Sequence, residues 1–257
     1  MIPLKDNIPT DRFPFVTFAL IVANVVVYLL AVRHGGSLIS GPTPEQEIKY
    51  GAIPFALTHP GHQCGVLTTA AGQEAIGCAK GTLPGALAPW ETIFTAMFMH
   101  ASIIHIAGNM IFLWIFGNNV EDSMGPVKFL GFYIVGGIAA LALQVAISPN
   151  SLTPTLGASG AIAAVLGGYI VLYPKARVLT LVIIIFFFTV IELPAVVMLG
   201  IWFAEQAVFA AAGLTTATGS SGGVAYFAHV GGFVFGLTTI KLLATRRRQI
   251  RPPSPVY

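Results

Sequence analysis

A chain of 257 residues that is 55% hydrophobic and only 9% charged lies far from soluble domains, in which about a quarter of residues carry charge. It reads as a polytopic membrane protein. The net charge of +3 does not mark a nucleic-acid surface, because five of the thirteen Lys and Arg (Lys241, Arg246, Arg247, Arg248, Arg251) lie in the last seventeen residues as a topology signal.

Residues 1–12 are short and polar, and Pro14 can open a helix without losing a needed hydrogen bond. Residues 13–32 supply about twenty apolar positions, enough to cross ~30 Å of hydrocarbon at ~1.5 Å per residue. The run is too long for a cleavable signal peptide and no small-residue cleavage site follows it. Residues 34–89 form the longest polar segment, extracytoplasmic in the topology below. Its Leu, Ile and Phe content predicts partly ordered structure lying on the membrane. It holds both cysteines of the chain, Cys64 and Cys78, which either close a small disulfide loop in an oxidising compartment or stay free thiols.

From Trp90 a short interfacial helix leads into a second span at residues 102–116, closed by a tight polar turn with Glu121, Asp122, Pro126 and Lys128. A third span covers 129–147, and a fourth covers 159–173 and ends at Pro174, Lys175 and Arg177. The apolar run 178–212 is too long for one span and is interrupted at Glu192-Leu193-Pro194. Residues 178–190, dense in β-branched and aromatic side chains, are expected to form an interfacial segment, with Pro194 opening the fifth span. A flexible linker at 215–223 precedes the sixth span, 224–243, and a basic Pro-containing tail occupies 245–257. The expected fold is an all-α polytopic membrane protein with six transmembrane helices in a compact bundle over residues 13–244.

With the N-terminus inside, ten Lys and Arg are cytoplasmic against Arg33, Lys49 and Lys80 outside, which satisfies the positive-inside rule. The second, fourth and sixth spans then all run from outside to inside. The two loop cysteines and the basic tail suit a bacterial plasma membrane with both termini cytoplasmic.

Polar residues within spans are costly and are functional candidates by default. Ser159 opens the fourth span among small residues, Gly160, Ala163, Ala164, Gly167 and Gly168, a composition that is also routine in helix-packing interfaces. His229, Gly232 and Gly236 share one face of the sixth span at i, i+3 and i+7. Two small-residue faces let these parallel helices approach at the depth where Ser159 and His229 sit, and a serine within hydrogen-bond reach of a histidine is a nucleophile with its general base. His105 and Asn109, four residues apart on the second span, could join the Ser159 N–H in donating to a developing oxyanion. Glu192 and Glu205 read as structural.

The motifs GASG around Ser159, AHVGGFVFG around His229, HASIIHIAGNM on the second span and FGNNVEDSMGPVKFL after it resemble the rhomboid family of intramembrane serine proteases. The resemblance covers essentially residues 2–243. It implies a rhomboid-like bundle, a Ser159–His229 dyad without a carboxylate, and oxyanion stabilisation by His105 and Asn109 with His100 on the same rim. Gly157 and Gly160 would shape the nucleophile turn, and Gly232 and Gly236 would allow the contact between the fourth and sixth spans. The resemblance also implies single-span membrane proteins as substrates, with the lipid bilayer as surroundings and no cofactor. Substrate entry would be gated by the fifth span, where Trp202 and Phe203 are candidates that could equally serve packing. The chain departs from the best-known members at Ala163, which is not an aromatic able to stack on the histidine.

Two other classes compete. A small transporter would call for an internal repeat or a charged mid-membrane pair, and the sequence has neither. A catalytically silent rhomboid-like protein that binds membrane clients differs in whether Ser159 reacts with a fluorophosphonate. A metal site from His100, His105 and His229 lacks a carboxylate or cysteine placed to complete it.

Overall fold

The structure is a computed structural model and describes residues 1–68, 74–184, 187–215 and 225–245. The chain opens with strand β1 (Ile2–Asp6), and α1 (Phe15–Arg33) begins directly after Pro14. In the long first loop come α2 (Pro44–Tyr50), α3 (Pro54–Thr58) and the antiparallel strands β2 (His62–Thr68) and β3 (Glu74–Lys80). A reciprocal cap starts α2: the Thr43 hydroxyl accepts from the Gln46 N–H, while the Gln46 side chain accepts from the Thr43 N–H. Cys64 and Cys78 lie opposite each other across β2 and β3 and are joined by a disulfide.

Next, α4 (Pro89–Thr95) tightens into a single turn at Ala96–Phe98 before α5 (Ile103–Phe112). The second span does not stop at residue 116. A wide turn at Leu113–Gly117 carries it into α6 (Asn118–Met124), so one helix runs through Ile103–Met124. Glu121 is therefore no turn residue. Its buried carboxylate accepts from the Val16 N–H at 3.0 Å and from the Thr17 N–H and hydroxyl, each at 2.7 Å. Those first-turn groups of α1 have no partner within their own helix, so Glu121 caps α1 from a distant part of the chain.

Gly125, at φ 85°, turns the chain into α7 (Pro126–Ile147), which is followed by α8 (Ser159–Leu172). Of residues 178–190, expected to be an interfacial segment, 178–184 and 187–190 belong to two strands, β4 (Arg177–Ile184) and β5 (Phe187–Pro194), which pair antiparallel; 185 and 186 lie outside the described residues. β1 pairs with the free edge of β4, giving the order β1-β4-β5. The reason lies in composition, since β-branched and aromatic side chains suit a pleated surface. The all-α expectation is corrected accordingly: the described residues are mostly helical, with two small antiparallel sheets. Glu192 sits on β5, 3.6 Å from Arg177, and Glu205 is exposed on α9 (Ala195–Thr215).

The last described helix is α10 (Tyr226–Leu243). Most of the expected linker (216–223), the first residue of the expected sixth span (224) and the tail from 246 onward lie outside the described residues. Among the described residues, five helices are long and apolar enough to cross a membrane: α1, the α5–α6 helix, α7, α9 and α10. α8 has fourteen residues, about 21 Å at 1.5 Å per residue, and every residue from Ala161 to Tyr169 on it is buried. Its neighbours are helices on several sides, so its length is set by protein and not by lipid.

The loops sort to two ends. At one end Ala52 and Thr155 exchange backbone hydrogen bonds, and the Thr58 hydroxyl donates to the Pro149 carbonyl, docking the first loop on the loop before α8. At the other, β1 joins the β4–β5 hairpin, Asn119 donates to Asp6, and the Thr245 N–H donates to the Ser123 carbonyl after α10. Ser159 therefore starts α8 at the first-loop end.

Candidate active site

α8 and α10 pack at backbone contact. A Cβ on Gly232 would collide with the Gly160 carbonyl, one on Gly236 with the Ala164 carbonyl, and one on Gly167 with the Phe233 carbonyl. Bare backbone on both helices brings their axes close enough for a short serine and a histidine to meet. Ser159 Oγ and His229 Nε2 are 2.7 Å apart.

The turn before Ser159 is held by two hydrogen bonds. The Gly157 N–H donates to the Ala96 carbonyl at 2.8 Å, and the Ala158 N–H donates to His100 Nε2 at 3.4 Å. Gly157 sits at φ 118°, a conformation that favours glycine, and a Cβ there would lie 2.8 Å from the His105 ring. Gly160 faces α7, where its Cβ would meet Ala140.

His100 is fully buried, with its ring 5.0 Å from that of His105. Burial first, and then the neighbouring His105, push its imidazole down to about 3, so it is neutral. Its Nδ1 faces the Phe98 carbonyl at 3.3 Å, which fits a proton on Nδ1 and a lone pair on Nε2 for the Ala158 N–H.

A cavity of about 650 Å³ reaches from the dyad to the loop residues Thr153–Thr155, and His105, Asn109, Gly157 and Trp202 line it together with Ser159 and His229. The Asn109 Nδ2 is buried and has no hydrogen-bond partner among the described residues. A buried donor of this kind is rare unless something else completes it, and here it borders the space beside the serine. The first N–H groups of α8 also lack partners within the helix. The arrangement can therefore hold a carbonyl carbon against Ser159 Oγ with its oxygen toward amide donors.

Of the two gate candidates, Trp202 faces the cavity, with its ring 5.8 Å from the His229 ring, whereas Phe203 stacks on Phe233 of α10 at 4.4 Å. Fully buried Ala163 faces Gly232, where an aromatic would not fit. Residue-level reading of the sequence missed Gln206, whose Oε1 lies 2.7 Å from His229 Nδ1. The available signal was an amide on an apolar helix, one turn after Trp202.

Residues 88–246 match the family model described as the rhomboid domain. RHOMBOID-like protein 12, mitochondrial, of Arabidopsis thaliana is 35% identical over 102 residues, 34% of this chain and 30% of that protein. The Presenilin-associated rhomboid-like protein, mitochondrial, of Mus musculus is 31% identical over 94 residues, 36% of this chain and 25% of that protein. Rhomboid protein 1, mitochondrial, of Saccharomyces cerevisiae is 33% identical over 152 residues, 57% of this chain and 40% of that protein. The chain thus spans well under half the length of these curated relatives. These matches correct one expectation: the relatives are mitochondrial proteins, which points away from a bacterial plasma membrane, and the assignment of the termini to a cytoplasm falls with it. With the family model covering residues 88–246, well over half of the chain, this protein belongs to the rhomboid family.

Proposed function

We propose that this chain is an intramembrane serine endopeptidase that cuts single-span membrane proteins. The observation that carries the reading is the 2.7 Å contact between Ser159 Oγ and His229 Nε2 at the mouth of α8. His229 takes the serine proton as Oγ attacks the scissile carbonyl, then gives it to the leaving amine, and water hydrolyses the acyl-enzyme by the same route reversed. Asn109 Nδ2, His105 and the Ser159 N–H are the donors to the oxyanion. Water enters through the cavity from the loop side at Thr153–Thr155. In this reading α8 counts as a sixth span enclosed by the other five, and the substrate helix approaches along α9. The names of the relatives support a mitochondrial membrane as the location.

The test is cleavage of a model single-span substrate in proteoliposomes. Wild type cuts, while Ser159→Ala and His229→Ala each fall by roughly 10³-fold or more without loss of fold. Cleavage retained by Ser159→Ala overturns the mechanism. Absence of fluorophosphonate labelling at Ser159 in a folded wild type would favour a client-binding protein with a silent site.

A further inference from the structure

Histidine can act as a general base only if the nitrogen facing the serine carries a lone pair. That requires its proton to sit on the other nitrogen, and something must hold it there. In His229 the other nitrogen, Nδ1, lies 2.7 Å from Gln206 Oε1. Gln206 is buried on α9, and Trp202, one turn earlier on the same face, sets its ring 5.8 Å from that of His229. Ala163 on α8 is too small to brace the imidazole; apart from Ser159 and an edge contact with Tyr226 on its own helix at 6.3 Å, the ring is held by these two side chains of α9.

We infer that Gln206 is the positioning residue of the dyad: its amide oxygen accepts the Nδ1–H of His229, fixes the tautomer with a lone pair on Nε2, and makes α9 the helix that arms the base. This rests on the protease reading above. The amide has two orientations, and they are not equivalent. With oxygen toward Nδ1, the serine hydroxyl donates to Nε2 and the base is free. With the NH2 group toward Nδ1, the ring proton moves to Nε2 and the serine faces a donor, which leaves it without a base. An amide oxygen carries no formal charge, so Gln206 acts through geometry and tautomer and not by neutralising an imidazolium. Because α9 also bears Trp202, a shift of that helix would release the histidine from both contacts together.

The experiment pairs two near-isosteric variants of the full chain in liposomes, Gln206→Met, which removes the acceptor, and Gln206→Glu, which keeps an oxygen at the same reach. Cleavage kinetics are read beside the 15N imidazole spectrum, with His229 assigned by its absence in His229→Ala. The expected result is an Nδ1–H tautomer in wild type and a mixed or Nε2–H population in Gln206→Met. With it, kcat falls roughly ten- to a hundredfold, part of what the oriented base contributes, while KM moves by less than about twofold. Gln206→Glu should recover most of kcat. A wild type in the Nε2–H form, or a Gln206→Met protein with unchanged tautomer and kcat, overturns the inference. So does a Gln206→Met protein that loses activity with the Nδ1–H tautomer intact, since that marks a purely structural role. Ser159→Ala in the same assay separates the two claims: if it cuts like wild type the protease reading fails, whereas the tautomer spectrum judges Gln206 independently of turnover.

Discussion

At the scale of single residues, Asn109 is a side chain left unsatisfied next to the cavity. Its Nδ2 is buried without a hydrogen-bond partner among the described residues, beside the cavity that holds Ser159. A donor kept dry and unpaired costs stability in the resting protein, and it gains most when a negative oxygen forms next to it. Asn109→Ala is accordingly expected to lower kcat by about 10²-fold, near 3 kcal/mol, while leaving thermal stability the same or slightly higher. Unchanged kcat would remove Asn109 from the oxyanion site. Its helix neighbour His105 has a second duty, since its ring packs against the bare Cα of Gly157 and so helps set the turn that presents the serine.

At the scale of elements, the decisive contact is α8 against α10. Gly236 and Gly232 are placed where any side chain would strike backbone carbonyls, and backbone cannot move aside as a flexible side chain can. Gly236→Ala should force the helices apart, destabilise the fold by about 1–3 kcal/mol and lengthen the Ser159–His229 contact, so that cleavage falls further than stability alone explains. Gly131 on α7 provides the control, because a Cβ there meets nothing within 4 Å. Gly131→Ala is expected to match wild type in thermal unfolding in detergent and in cleavage, and equal behaviour of the two variants would refute the close-packing account.

At the scale of the whole molecule, the end opposite the site is tied together by Asp6. Its carboxylate on β1 accepts from Tyr169 of α8 at 2.6 Å and from Asn119 of α6 at 2.7 Å, and the Tyr173 hydroxyl donates to the Asn119 carbonyl. Burial pushes the Asp6 carboxyl up to about 6, outweighing the Tyr169 hydrogen bond that lowers it. The folded chain thus binds this proton more tightly than the unfolded chain, whose carboxyl titrates near 4. The stabilisation it brings is complete below about pH 4 and is lost as pH rises through about 6. Thermal unfolding between pH 4 and 7 should show wild type losing stability relative to Asp6→Asn across that window. A constant difference between the two would exclude Asp6 as the titrating group.

The sequence by itself determined the membrane class, the family and the order of the apolar segments, because hydropathy and small-residue spacing are local properties of the chain. It also marked Ser159, His229, His105 and Asn109 as candidates, since polar groups within apolar helices stand out against their neighbours. Other features were decided by tertiary structure alone. The strand tendency of 178–184 and 187–190 was already present in their composition, but the pairing of β4 with β1, from the far end of the chain, was not. Glu121 stayed in a helix because the unpaired N–H groups of α1 reach it. His100 and Gln206 took their places through hydrogen bonds with the Ala158 N–H and the His229 ring, and no spacing rule encodes contacts between residues so distant in sequence.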